Sequence, residues 1–219
     1  SQGVKINDAI AKHTEPMKKL EVAFAKYAKS KAEELAPELE WDKPDPRELR
    51  VNIEELAKKH PKNFYILSQQ ARRSINARDW EAAKAHCRKL IKLFPRQNGG
   101  TNNPYVLLAK AHRELKEFSE ERKALDTLAG MSDDAYDVFL RLIELTAGDK
   151  DWAGVRLNCE RALAVNPLLP QPHRHLAIAA EAQNRSKPAI ESWQTLLQLD
   201  PLDPAEPHYH LALLLRETD

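Results

Sequence analysis

Glycine is scarce: the 219-residue chain has six, roughly 3% against a usual ~7%. No two of them stand in a phosphate-cradling spacing such as GxxxxGK or GxGxxG, which excludes nucleotide enzymes of those kinds. Cysteine is scarcer still. Cys87 and Cys159 are alone, too few for a disulfide framework and silent about redox compartment. β-Branched residues are also few, 7 Val, 9 Ile and 6 Thr against 29 Ala and 29 Leu. Ala and Leu head the helix scale, whereas strands favour β-branched and aromatic types. Sheet-based catalytic folds are therefore disfavoured and an all-α chain is predicted. An excess of one charge is missing as well, since 34 Lys and Arg stand against 33 Asp and Glu. That balance argues against a general nucleic-acid role, while 31% charged residues keep the surface soluble. No apolar run reaches the ~18 residues of a membrane span. Ser1 to Ile10 also lacks the charged and apolar regions of a signal peptide. Localisation stays open, because a longer, exported parent would carry its leader upstream.

What the chain has is an internal repeat. Asp79-Trp80-Glu81, Glu117-Phe118-Ser119 and Asp151-Trp152-Ala153 each place an aromatic after an acidic residue, with the aromatics 38 and 34 residues apart. A helical pattern stops at Pro95, Pro167 and Pro201, the last two again 34 apart. The extra four residues fall in the turn signal Gln97 to Asn102, which holds the only Gly pair. Units begin near Phe64, Asn102, Tyr136, Pro170 and Ala205, the last incomplete. Each opens on a helix with apolar residues at 3.6 periodicity, as in Leu67, Ala71 and Ser74, or Tyr105, Leu108, Ala109 and His112. A second helix follows with Ala83, Cys87 and Leu90, then Leu125 and Leu128, then Val155, Cys159 and Ala162, then Ala189, Trp193 and Leu196.

This pattern resembles the tetratricopeptide repeat, a helix-turn-helix unit of ~34 residues. The matching residues are Ala71, Ala109 and Ala177 at the eighth position, Trp80, Phe118 and Trp152 at the seventeenth, Ala83 and Ala189 at the twentieth, and Pro95, Pro167 and Pro201 at the thirty-second. Departures are Ile143 at the eighth, Glu121 and Val155 at the twentieth, and Ser186 at the seventeenth. The resemblance implies a right-handed superhelical solenoid of antiparallel helix pairs. On that register Cys87 and Cys159 lie two units apart, beyond the ~7 Å reach of a disulfide, and read as buried thiols. Trp152→Ala is expected to cost about 3 to 5 kcal/mol as a buried aromatic, and Arg174→Ala to stay within roughly ±0.5 kcal/mol.

Residues 1–46 read as a long helix from Asn7 to Ala36, broken near Pro16, followed by a rigid Pro-rich linker. Residues 47–63 read as one degenerate repeat helix from Arg47 to His60, and residues 64–219 as the array. The order Phe24-Ala25-Lys26-Tyr27-Ala28, Ala32, Leu35-Ala36-Pro37, Trp41 and Pro44 resembles the stretch joining a gluzincin-like zinc peptidase domain to C-terminal repeats in some large bacterial proteins. The chain has no HExxH, so no catalytic residue carries over. At the other end, Leu213, Leu214 and Leu215 on an uncapped helix suggest continuation of the array or self-association.

Chemistry finds little purchase. His173 and His175, like His208 and His210, are two apart and point to different sides of a helix, so neither pair chelates a metal. His173 and His208 fall at a packing position. No Gly-x-Ser-x-Gly elbow is present. No catalytic residue, metal or cofactor is predicted. By resemblance, the first helices line a concave groove. The candidates there are Arg72, Asn76, Lys110, Arg113, Arg141, Arg174, His175, Tyr209 and His210, with Tyr65, Gln69, Glu144 and Glu181 beside them. Arginines with tyrosine suit an extended peptide bearing carboxylates. Ser68 and Arg72 stand where related repeats place the Lys and Asn that clamp a terminal carboxylate, so that ligand is not supported. The expected function is a non-catalytic scaffold for a protein or peptide partner; the alternative is a substrate-positioning region of a zinc peptidase.

Overall fold

The computed structural model describes residues 6–100 and 102–218. Among them the chain forms thirteen helices, with one isolated parallel bridge between Glu40 and Asn63 and no strand. None of these helices is long and apolar enough to cross a membrane. They divide between two compact units, within Ser1–Gln97 and within Asn98–Asp219.

The first unit opens with α1 (Ile6–His13) and α2 (Met17–Leu35), separated at Pro16, whose ring and missing N–H oppose a helix interior. In place of the single helix expected over 47–60 there are two, α3 (Pro46–Val51) and α4 (Ile53–Lys59). Asn52 between them leaves helical geometry at φ −120° and ψ 34°. The Pro-rich segment, expected as a rigid linker, packs against the unit. Ala36 and Leu39 are buried. Trp41 stacks on Phe64 at 5.0 Å, and Glu40 exchanges backbone hydrogen bonds with Lys62 and Phe64 at 3.0 Å. Its prolines stiffen a strap whose apolar residues dock on α5 (Phe64–Asn76), which pairs with α6 (Trp80–Leu93).

The second unit holds three more pairs: α7 (Pro104–Glu114) with α8 (Phe118–Ala129), α9 (Tyr136–Gly148) with α10 (Trp152–Val165), and α11 (Pro170–Glu181) with α12 (Ser186–Gln198). Helix α13 (Ala205–Thr218) follows and packs on α12. Paired helices are joined by three or four residues, a length that forces antiparallel neighbours. Side chains fix where several begin. Asn63, Asp79, Asn103 and Asp151 each accept a hydrogen bond from a backbone N–H of the first turn, satisfying donors the helix leaves free.

The short turns share one backbone device. Arg78, Lys116, Lys150 and Asn184 hold left-handed φ values of 57°, 61°, 58° and 56°. All four occupy the fifteenth position of their units, where the chain reverses between paired helices. This conformation favours glycine, yet none of the four is glycine.

Ala83, Cys87, Leu90, Leu125, Leu128, Val155, Cys159, Ala162, Ala189, Trp193 and Leu196 of the second helices are all buried. Both cysteines are free, and burial pushes each thiol up to about 12. Aromatic burial differs from expectation. Trp80 and Trp152 are half-buried and Phe118 is 50% exposed, whereas Trp193 is 0% exposed. The seventeenth position opens the second helix at the turn, where one side of the ring meets solvent. Trp193 lies at the middle of α12 among Ala177, Ala189, Leu211 and Leu214. At the packing position of the His pairs, His173 is half-buried but His208 is exposed.

Candidate functional site

Glu121 is where the chain departs from small residues at the twentieth position, and it is 0% exposed. It sits on the first turn of α8, between α7 and α9. Burying a carboxylate is costly unless cations and hydrogen bonds replace its water. Two arginines, both groove candidates, supply them. Arg113 of α7 donates through Nε to Oε1 at 2.6 Å. Arg141 of α9 donates through Nε to Oε1 at 2.8 Å and through its terminal nitrogen to Oε2 at 2.9 Å. Arg141 also donates to Glu144 at 2.7 Å. Burial raises the Glu121 carboxyl, but the hydrogen bonds and charges of Arg141 and Arg113 outweigh it, leaving the group below its ordinary value.

Over this cluster opens a cleft of about 870 Å³, lined by Lys110 and Arg113 on α7, Tyr136, Leu140, Arg141 and Glu144 on α9, and Leu125 and Leu128 of α8 beneath. The loop Asn98 to Gly100 edges it; Gly100 takes a left-handed φ of 93°, and the Asn98 amide donates to the Met131 carbonyl at 3.0 Å. The arginines are not equivalent. Arg141 is engaged at all three nitrogens. Arg113 bonds through Nε alone among the described residues, and its side chain is 44% exposed. Lys110 is exposed and forms no ion pair among the described residues.

The other candidates lie elsewhere. Arg72 and Asn76 are exposed on α5 of the first unit. Arg174 of α11 is held in a two-pronged pair by Glu206 of α13, through Nε at 2.6 Å and a terminal nitrogen at 2.5 Å. Burial, then the charge of Arg174, pushes the neighbouring His175 imidazole below its ordinary value. His210 stacks on Trp193 at 4.6 Å and contacts Glu181 through Nδ1 at 2.9 Å. The indole N–H of Trp193 donates to the other Glu181 oxygen. Tyr209 is exposed and edge-on to His210. Among the described residues no three His, Cys, Asp or Glu side chains gather as a metal site would require.

Sequence reasoning placed the arginines in the groove but missed what they hold. A signal was present. A carboxylate at a position built for a small side chain must be buried, so cations should be sought on the helices flanking it. Arg113 and Arg141 stand on those helices.

No protein-family model matches the chain, and comparison with curated proteins gives no match. Solved structures do resemble it. One is YrrB, described as a TPR protein with an unusual peptide-binding site, at TM-score 0.61 and 11% identity over 76% of this chain and 84% of that one. Another is a chain of the Naa15/Naa10 complex bound to HypK-THB, at TM-score 0.60 and 19% identity over 76% of this chain and 25% of that one. A third is MamA, residues 41 to the end, from Desulfovibrio magneticus RS-1, at TM-score 0.54 and 15% identity over 77% and 87%. At such identities the likeness is one of fold. The helix pairs, their register and these neighbours together give this chain the tetratricopeptide-repeat fold.

Proposed function

We propose that this chain is a non-catalytic protein-interaction scaffold whose α7–α9 cleft holds an extended peptide bearing a carboxylate. The observation that carries the reading is Arg113. Its guanidinium is fixed from behind by a buried carboxylate while its remaining donors belong to the wall of an open cleft. A cation held this way loses little freedom on meeting a ligand anion, and preorganisation of that kind favours affinity. Lys110 adds a second positive charge on the α7 wall, Glu114, Asp134, Asp137 and Glu144 line the same cleft and confine the anion to that wall, and Val106, Tyr136 and Leu140 offer apolar surface for flanking side chains. The fold likeness to a protein described as having a peptide-binding site is in keeping with this reading. The zinc-peptidase alternative gains no support from the solved structures above.

A peptide array of extended acidic and neutralised sequences, followed by titration of the best binders, tests the proposal. Lys110→Glu should weaken acidic peptides by about tenfold or more, equivalent to roughly 1.4 kcal/mol, with thermal unfolding unchanged. Equal affinity of the variant and the parent for acidic peptides, or preference for neutralised ones, would overturn it.

A further inference from the structure

Helix α2 spans Met17–Leu35 and has no buried residue. Its apolar side chains nonetheless form a stripe at helical spacing, Met17, Leu20, Phe24, Ala28 and Leu35. Phe24 is 68% exposed, and Tyr27 beside it 59%. Between Phe24 and Leu35 the same face carries the small residues Ala28 and Ala32 together with Lys31, whose ammonium lies over the Tyr27 ring. Lys18 and Lys19 lie near its start and Glu33 and Glu34 near its end, with Glu21, Lys26, Lys29 and Lys31 between them.

We infer that α2 is a self-association surface, on which a second copy of this chain lays its own α2 antiparallel. The sequence is complementary to its own reverse about Lys26. In that pairing Phe24 faces the second copy's Ala28, Leu20 faces its Ala32, and Met17 faces its Leu35. Large side chains thus enter the spaces left by small ones, as close helix packing requires. The same arrangement brings the basic start of each helix alongside the acidic end of the other. A parallel pair would instead stack Phe24 on Phe24 and the lysine end on itself. An isologous contact of this kind closes on itself and limits assembly to two chains. It lies in the first unit and does not depend on the peptide reading.

Sedimentation equilibrium of the whole chain should show a dimer at micromolar concentration, and Phe24→Glu should abolish it with no change in thermal unfolding. Orientation is read from cross-linking. Chains carrying Met17→Cys and chains carrying Leu35→Cys should form a disulfide on mild oxidation when mixed, and neither should do so alone. The buried Cys87 and Cys159 keep the background low. A monomer at all concentrations, a Phe24→Glu dimer, or self-cross-linking of either single variant would overturn the inference. So would a monomer that binds anionic vesicles through α2.

Discussion

Glu121 turns a break in the repeat pattern into a constraint on two arginines. Its carboxylate is fully buried, so its stability rests on Arg113 and Arg141. Arg141→Met removes the two-pronged partner and leaves a buried charge held at one oxygen. The expected loss is about 3 kcal/mol, the low end for breaking a buried pair because Arg113 remains. Acid should act through the same group. Its folded-state value is lowered, so its contribution is fully present above the ordinary carboxylate range and is lost as pH falls through the depressed value. Glu121→Gln should therefore flatten the acid limb of a stability–pH profile measured by denaturant titration; an unchanged limb would show that other carboxylates set it. The two tryptophans make a second contrast at this scale. Trp193→Ala should cost about 3 to 5 kcal/mol, as a buried ring whose removal also leaves Glu181 without its indole donor. Trp152→Ala should cost about 1 to 2 kcal/mol, since only part of that ring leaves water on folding. Equal thermal shifts for the two would contradict the difference in burial.

Among the elements, the turns between paired helices are the places where sequence and backbone disagree. Arg78, Lys116 and Lys150 adopt a left-handed conformation that costs an ordinary residue roughly 1 to 2 kcal/mol. Glycine would remove that strain and lose about 0.5 to 1 kcal/mol in the unfolded chain. The triple variant Arg78→Gly, Lys116→Gly, Lys150→Gly should thus be more stable by about 2 kcal/mol, with Tm raised by about 4 to 8 °C in calorimetry. A lower Tm would mean the three side chains contribute contacts worth more than the strain. The opposite case is Gly154, where an added Cβ would lie 2.8 Å from the Thr146 methyl and 2.5 Å from the capping Asp151 carboxylate. Here the missing side chain allows α10 to approach α9. Low glycine content predicted helices, but only the backbone shows that the chain does without glycine at four turns and uses it at a crossing.

For the whole molecule, the helix pairs were legible because burial repeats with the helical period. The residues assigned to the inner face of the second helices, such as Leu90, Leu128, Val155 and Leu196, are in the core, whereas the aromatics that open those helices are partly exposed. The strap over 36–46 was not legible, because three prolines in ten residues resemble a spacer until Trp41 is seen against Phe64. The helix break at Asn52 was hidden for a similar reason, since Ile53 keeps a helical spacing across it. For the groove candidates, residue types could be named but not the partners that hold them. Whether Arg174 is free or held by Glu206 depends on a contact thirty-two residues away, and periodicity does not carry such pairings.

Packing in the second unit runs between helices adjacent in sequence, with α9 on α11 as the one longer link among its principal contacts. Among the described residues no distant helix makes a principal contact that would clasp the stack shut. Nearest-neighbour interfaces of this kind make stability approximately a sum over repeats. Under tension from its two ends, such a unit yields one helix pair at a time and re-forms as the load is released. The second unit should then extend in steps under load, and a partner seated across α7 and α9 would raise the force at which the helix pairs it bridges give way.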